Sequence, residues 1–468
     1  MNRIKNLFNK NNIIMFLILL IITFLVMLMS PLNIFSPNGV SGIDSSVFKT
    51  IGYYMKDGLL PYKDMFDHKG PILYLINYLG YIISPNRGIW IIEFIFMFIS
   101  TFFIYKSSRL KCSKPISVFI TFTVLSLLCL YFEQGNLCEE YALPFELISL
   151  YIFLKYFLEK DIDLKYFIVS GISLAIVSMI RINMIGLWIV FCFSIFIKSL
   201  INKKYKELFT IIGYFLIGIT LVFVPLLIWL LKCHIFKDFI DCYFKFNFSY
   251  TDVTNKDKLT TFIFFFKNPI VFGSLLYLLF KQDKGMKYIA LFNYFIGFYL
   301  VIMSGQQFYH YGMTLIPLLI YPYIVILSQD KYNWLKVIII LIVTIIFNIV
   351  PYVKNMNYKT NIDELVSDIN YYSSSDDYIT VFGNYDCLYF YGKRKSASRF
   401  TYQNPIFKYN DDFAVEYIND LNENQPKLII IVGNGDKIDY SIINDYVLDN
   451  NYSLTKSYYN EFIKLYSK

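Results

Sequence analysis

Long apolar runs alternate with short charged segments through the first 351 residues, and that pattern predicts a series of membrane-crossing helices. A span needs roughly 20 apolar residues. Runs at 12–30, 88–105, 115–132, 141–158, 166–180, 184–197, 208–231, 259–280, 288–303, 311–327 and 335–351 meet or approach that length. They predict a polytopic helical bundle of about eleven transmembrane helices. The first run follows Arg3, Lys5 and Lys10 and has no clear small-x-small cleavage site, so it reads as a retained helix. The run 71–84 is too short to span and reads as a helix in the outer interface, with Tyr74, Tyr78 and Tyr81 at headgroup depth.

The charges between the runs orient the bundle. Lys106, Arg109, Lys111 and Lys114 share one loop, Lys198, Lys203, Lys204 and Lys206 a second, Lys281, Lys284 and Lys287 a third, and Lys331 and Lys336 a fourth. With the N-terminus inside, all four face the cytoplasm, as the positive-inside bias requires. The exterior then receives 31–87, 133–140, the turn at Arg181, 232–258, 304–310 and everything after 351. His68, His234 and His310 all fall on that side.

Beyond residue 351 the pattern changes to that of a soluble fold. Helices are predicted at 363–372, 411–422 and 438–448, and strands at 378–382, 388–391, 427–432 and 452–458. That alternation implies a small exterior C-terminal α/β domain at 352–468, after a membrane domain at 1–351 whose loop 31–87 carries interfacial helices.

Composition agrees with the pattern. Of 468 residues 56% are hydrophobic and 17% charged, and the mean hydropathy is +0.48. Such a chain cannot cover a water-facing surface with polar groups, so membrane lipids are its solvent. The net charge of +8 sits in short loops and gives no nucleic-acid footprint. The seven cysteines are scattered, without metal-ligand spacing or a disulfide framework.

Candidate chemistry concentrates on the exterior. In the first loop Val47, Phe48, Ile51 and Met55 recur at helical spacing, so a short helix starts near Asp44, which reads either as its N-cap or as a general base. Lys69-Gly70-Pro71 places a cation at the N-terminus of the next helix, a site for phosphate or for lipid headgroups. Arg181, with Asn183, lies at the tip of a tight hairpin of short spans. Asp67 and His68, then Glu133, Asn136, Glu139 and Glu140, form polar clusters suited to sugar hydroxyls, and His310 lies in a polar, aromatic turn. A metal held by His68 and His310 matches no ligand motif. Gly433-Asn434-Gly435 lacks the rest of a nucleotide fingerprint.

The first span, the acidic exterior loop, Asp67-His68-Lys69-Gly70-Pro71, the 133–141 segment, Arg181-Ile182-Asn183 and His310 before a Pro317-containing span together resemble the GT-C glycosyltransferases. Within them the chain resembles the branch of protein mannosyltransferase-like and aminoarabinose-transferase-like enzymes. The resemblance implies a polyprenyl-phosphate sugar donor and an inverting transfer to an acceptor: a protein, a glycolipid or a wall polymer. It implies Asp44 as catalytic base, Lys69, Arg181 and His310 as donor-phosphate contacts, and no obligatory cofactor, with a divalent metal as an alternative. Many relatives carry a second acid next to the first-loop Asp, where this chain has Ser45; the Arg-Pro-Asn of many similar sequences is Arg181-Ile182-Asn183 here. A transporter or flippase for lipid-linked saccharides, or an oligosaccharide polymerase or ligase, are the competing readings.

Overall fold

The computed structural model of the chain describes residues 10–32, 35, 43–133, 135–159, 162–249, 253–280, 285–328, 333–351, 362–404, 406–433 and 439–468. Lys281, Lys284, Lys331, Asn434 and Gly435 lie outside the described residues. The chain divides into two compact units. The first gathers Met1–Pro37, Trp90–Leu226 and Asp252–Tyr358; the second gathers Asn38–Ile89, Leu227–Thr251 and Lys359–Lys468. The composition break near 351 lies close to one boundary, but the second unit also takes in the first loop and the 227–251 segment.

The first unit is helical, and each run read as a span is largely helical. Among the described residues five helices are long and apolar enough to cross a membrane: Gly88–Ser108, Lys114–Tyr131, Cys138–Leu158, Tyr205–Lys232 and Tyr309–Leu327. The expected single span at 259–280 is instead two helices, Asn255–Phe266 and Pro269–Phe280, bent by 89°. Pro269 has no N–H to continue the first helix, which a count of apolar residues does not register. The remaining five predicted spans are apolar helices of 10–17 residues. Among the described residues, then, five helices, or six if the bent pair is one crossing, reach full length, and the rest of the roughly eleven expected spans are shorter apolar helices.

Small residues and buried hydroxyls join these helices. A Cβ on Gly171 would stand 2.1 Å from the Phe215 carbonyl oxygen and one on Gly218 2.1 Å from that of Ile168, so only glycine permits this crossing. Thr23 donates to Thr101 at 2.9 Å, and the Trp188 indole donates to the Ser170 carbonyl at 3.2 Å. Phe209, Leu216, Leu221 and Leu231 stay exposed along Tyr205–Lys232, an apolar face suited to lipid.

In the second unit a five-stranded sheet has the order β2-β1-β3-β5-β4. Here β1 is Tyr378–Phe382, β2 Lys395–Ser396, β3 Leu428–Val432, β4 Ser453–Tyr458 and β5 Ile463–Ser467. β1 is parallel to β2 and β3, and β5 is antiparallel to β3 and β4. The run Leu-Ile-Ile-Ile-Val of β3 is buried throughout, as a central strand covered on both faces must be. The strand expected at 388–391 is a helix, Cys387–Gly392, closed by Lys393 at φ 51°. Four apolar residues carry no period that separates strand from helix. β5 has an alternating pattern that the sequence reading passed over.

Two first-loop helices, Ile43–Met55 and Pro71–Ile83, pack in the same unit. A Cβ on Gly52 would stand 2.5 Å from the Asn77 Cβ, so the helices meet at that glycine. Tyr74 and Tyr81, expected at the lipid interface, are buried instead; Leu79, Ile82 and Ile83 are the exposed side chains.

Candidate functional site

In the second unit the Asp67-His68-Lys69 turn is built before Lys69 is placed. Tyr62 is buried at φ 72°, a conformation unfavourable for an aromatic residue. Its N–H bonds the Met65 carbonyl at 2.8 Å and its hydroxyl donates to the Lys69 carbonyl at 2.8 Å. Asp67 is buried and accepts from the Tyr74 hydroxyl at 2.8 Å, the Tyr402 hydroxyl at 2.9 Å and the His68 N–H at 2.7 Å. Asn247 donates to the His68 carbonyl at 2.7 Å. Arg399, paired with Glu416 through two nitrogens, donates to the Tyr62 carbonyl and accepts from the Phe66 N–H.

These bonds set the chemistry of the turn. Lys69 Nζ stands 2.9 Å from His68 Nε2 and 4.0 Å from Asp67 Oδ1. An ammonium only donates, so the His68 Nε2 carries its lone pair toward Lys69 and the ring proton resides on Nδ1, 3.7 Å from Asp67 Oδ1. Gly70 precedes the Pro71–Ile83 helix, whose dipole adds positive potential beside Lys69. Asp44 is half-buried in the first turn of Ile43–Met55. Asp386, fully buried, senses the charges of both Asp67 and Asp44.

The first unit holds the remaining candidates. Arg181 Nη1 donates to Glu139 Oε1 at 2.6 Å, and its guanidinium lies 4.4 Å from the centroid of the Tyr311 ring. His310 is buried, with Nδ1 2.6 Å from Glu133 Oε2. Glu139 and Glu140 are buried in the first turn of Cys138–Leu158. Asn136 is buried with its N–H on Glu93, and its side chain accepts from the Tyr141 hydroxyl. A solvated exterior loop at 133–140 is therefore excluded for these three.

The expected residues thus fall into two sets: Asp44, Asp67, His68 and Lys69 in one unit, Glu133, Asn136, Glu139, Glu140, Arg181 and His310 in the other. Asp67, expected to touch substrate, has its oxygens occupied by three donors and positions the turn. Among the described residues no three His, Cys, Asp or Glu side chains are grouped to hold a metal ion.

The family described as "Putative competence-induced protein Ccs4 N-terminal domain" matches residues 3–340. The chain belongs to the Ccs4 N-terminal domain family. No curated protein matches it. Among solved structures, this Ccs4-family chain is similar to ArnT from Cupriavidus metallidurans bound to undecaprenyl phosphate, with a TM-score of 0.67, 9% identity and 97% of each chain covered. It is also similar to the Archaeoglobus fulgidus oligosaccharyltransferase in complex with zinc and sulfate, with a TM-score of 0.51, 12% identity, and 89% of this chain and 68% of the other covered. Both neighbours are GT-C glycosyltransferases, so this Ccs4-family chain has the GT-C fold.

Sequence reading missed several groups of these two candidate sets. Glu93, Glu146 and Asn293 are buried within apolar helices. Their signal was present, because an acid or amide inside an apolar run marks a cavity or a partner. Tyr402, Arg399 and Asp386 had no such signal, since only the fold brings them to the first loop.

Proposed function

We propose that the chain transfers a sugar from a polyprenyl-phosphate donor to an acceptor hydroxyl at the exterior membrane face, with inversion at the anomeric carbon. The observation that carries this reading is the likeness over 97% of both chains to ArnT, which was crystallised with undecaprenyl phosphate. The acceptor oxygen bonds to the anomeric carbon as the bond from that carbon to the phosphate oxygen breaks. Polyprenyl phosphate leaves, and Asp44 takes the acceptor proton. Lys69 and the N-terminus of Pro71–Ile83 meet the charge that develops on the phosphate.

Arg181 is already neutralised by Glu139, and His310 is engaged by Glu133. In this reading they are secondary phosphate contacts. The N-terminus lies in the cytoplasm and the C-terminal residues lie outside.

Purified protein incubated with radiolabelled polyprenyl-phosphate sugars is expected to consume one of them. Asp44→Asn is expected to lower the rate by about 10²–10⁴-fold without altering membrane insertion. Lys69→Ala is expected to cost on the order of 10²–10³-fold, chiefly in donor use. Consumption of no donor, with movement of lipid-linked saccharide across vesicles, would replace this reading with the flippase.

A further inference from the structure

A cavity opens inside the first unit, walled by Glu139, Glu146, Arg181, Asn183, Asn293 and Tyr311. Its polar groups do not balance. Arg181 is the cation among the described lining residues, and Glu139 already pairs with it at 2.6 Å. Three acceptors remain: Glu146 Oε2, Asn183 Oδ1 and Asn293 Oδ1 are buried without a hydrogen-bond partner. Glu146 and Asn293 are 3% and 4% exposed. Orphaned buried acceptors are costly and rare in native proteins, so three on residues that line one cavity point to a ligand that brings donors.

We propose that this cavity binds the hydroxyl-rich ring of a sugar, with Glu146, Asn183 and Asn293 accepting from its hydroxyls. The proposal rests on the reading of the chain as a sugar transferase and gives the helical unit a sugar-binding cavity of its own. A phosphate could pair with Arg181 but would leave the three orphaned acceptors unsatisfied, since it brings acceptors and few donors. A single ammonium would satisfy one wall. The three acceptors stand on separate elements: Glu146 on Cys138–Leu158, Asn183 on the Ile182–Met184 turn and Asn293 on Met286–Ile302. A ring with hydroxyls around its edge reaches all three, and the Tyr311 ring and Pro317 give apolar surface for its C–H face.

The test uses the purified full-length chain in lipid nanodiscs, with methyl glucoside, methyl mannoside and methyl galactoside as probes and saturation-transfer NMR as the readout. At least one glycoside is expected to bind, and Glu146→Gln, which keeps the side-chain volume, is expected to weaken it about tenfold or more. Asn293→Ala is the second variant and is expected to weaken the same glycoside. Binding of none of the three, or equal binding to wild type and both variants, overturns the proposal. Tighter binding of propylammonium, displacing the glycoside, overturns it in favour of a cation site. Donor consumption without glycoside binding sinks the cavity assignment and leaves the transferase standing. Glycoside binding through Glu146 without consumption of any donor does the reverse.

Discussion

Burial strips Asp386 of water and leaves neither carboxylate oxygen a hydrogen bond. That desolvation, reinforced by the charges of Asp67 and Asp44, pushes its pKa up to about 8. The Thr401 hydroxyl is near enough to temper the shift, yet is not in hydrogen-bond geometry with either oxygen. An unfolded Asp titrates at about 4, so the folded chain holds the extra proton between roughly pH 4 and pH 8. Stability therefore falls as pH rises through that window, by at most roughly 1.4 kcal/mol per unit. Asp386→Asn removes the penalty. The variant is expected to match the wild-type Tm near pH 4 and to exceed it by a margin that widens up to pH 8. A gap that stays constant across the series would mean that Asp386 does not titrate in this way. None of this was legible in the sequence: Asp386 belongs to no motif, and its neighbours Asp44 and Asp67 lie more than 300 positions away.

Legibility improves where an element carries its own period. The Asp363–Tyr372 helix and the β1 and β3 strands lie where the apolar pattern put them, because each buries a face that the pattern encodes. The first-loop turn does not. Its sequence predicts a helix start at Pro71, but Asp67, Tyr62 and His68 around Lys69 are held by Tyr402, Arg399 and Asn247, residues of segments with no periodic signal. Tyr74 and Tyr402 both donate to Asp67, one to each oxygen. Removal of a hydrogen bond to a charged acceptor costs about 1.5–3 kcal/mol. Tyr74→Phe and Tyr402→Phe are each expected to lower the Tm. Because they share one buried carboxylate, the double variant is expected to depart from additivity by about 0.5 kcal/mol or more. Strict additivity would show that the two hydroxyls act independently. In a donor-saturation assay the loosened turn is expected to raise KM more than it lowers kcat, since Lys69 is displaced and Asp44 is not.

For the whole molecule, apolar runs and loop lysines announced a multi-pass membrane chain, and the GT-C fold agrees with that reading. Hydropathy could not show which runs cross. The orientation argument needs an odd number of crossings, and the pair Asn255–Phe266 and Pro269–Phe280 is bent by 89°. If that pair enters and leaves by one face, every loop after it changes side, and Lys287 and Lys336 oppose the loops at Lys106 and Lys198. The positive-inside bias favours a true crossing, because it keeps all four basic loops together. In a variant lacking the seven native cysteines, Lys106→Cys and Lys287→Cys are expected to react with a membrane-impermeant maleimide only after permeabilisation. Glu461→Cys, in the turn between β4 and β5, is expected to react on intact cells. Labelling of Lys287→Cys on intact cells, with Lys106→Cys still protected, would make the bent pair a re-entrant hairpin. The chain would then have an even number of crossings, and a C-terminus outside the cell could no longer be derived from an N-terminus inside it.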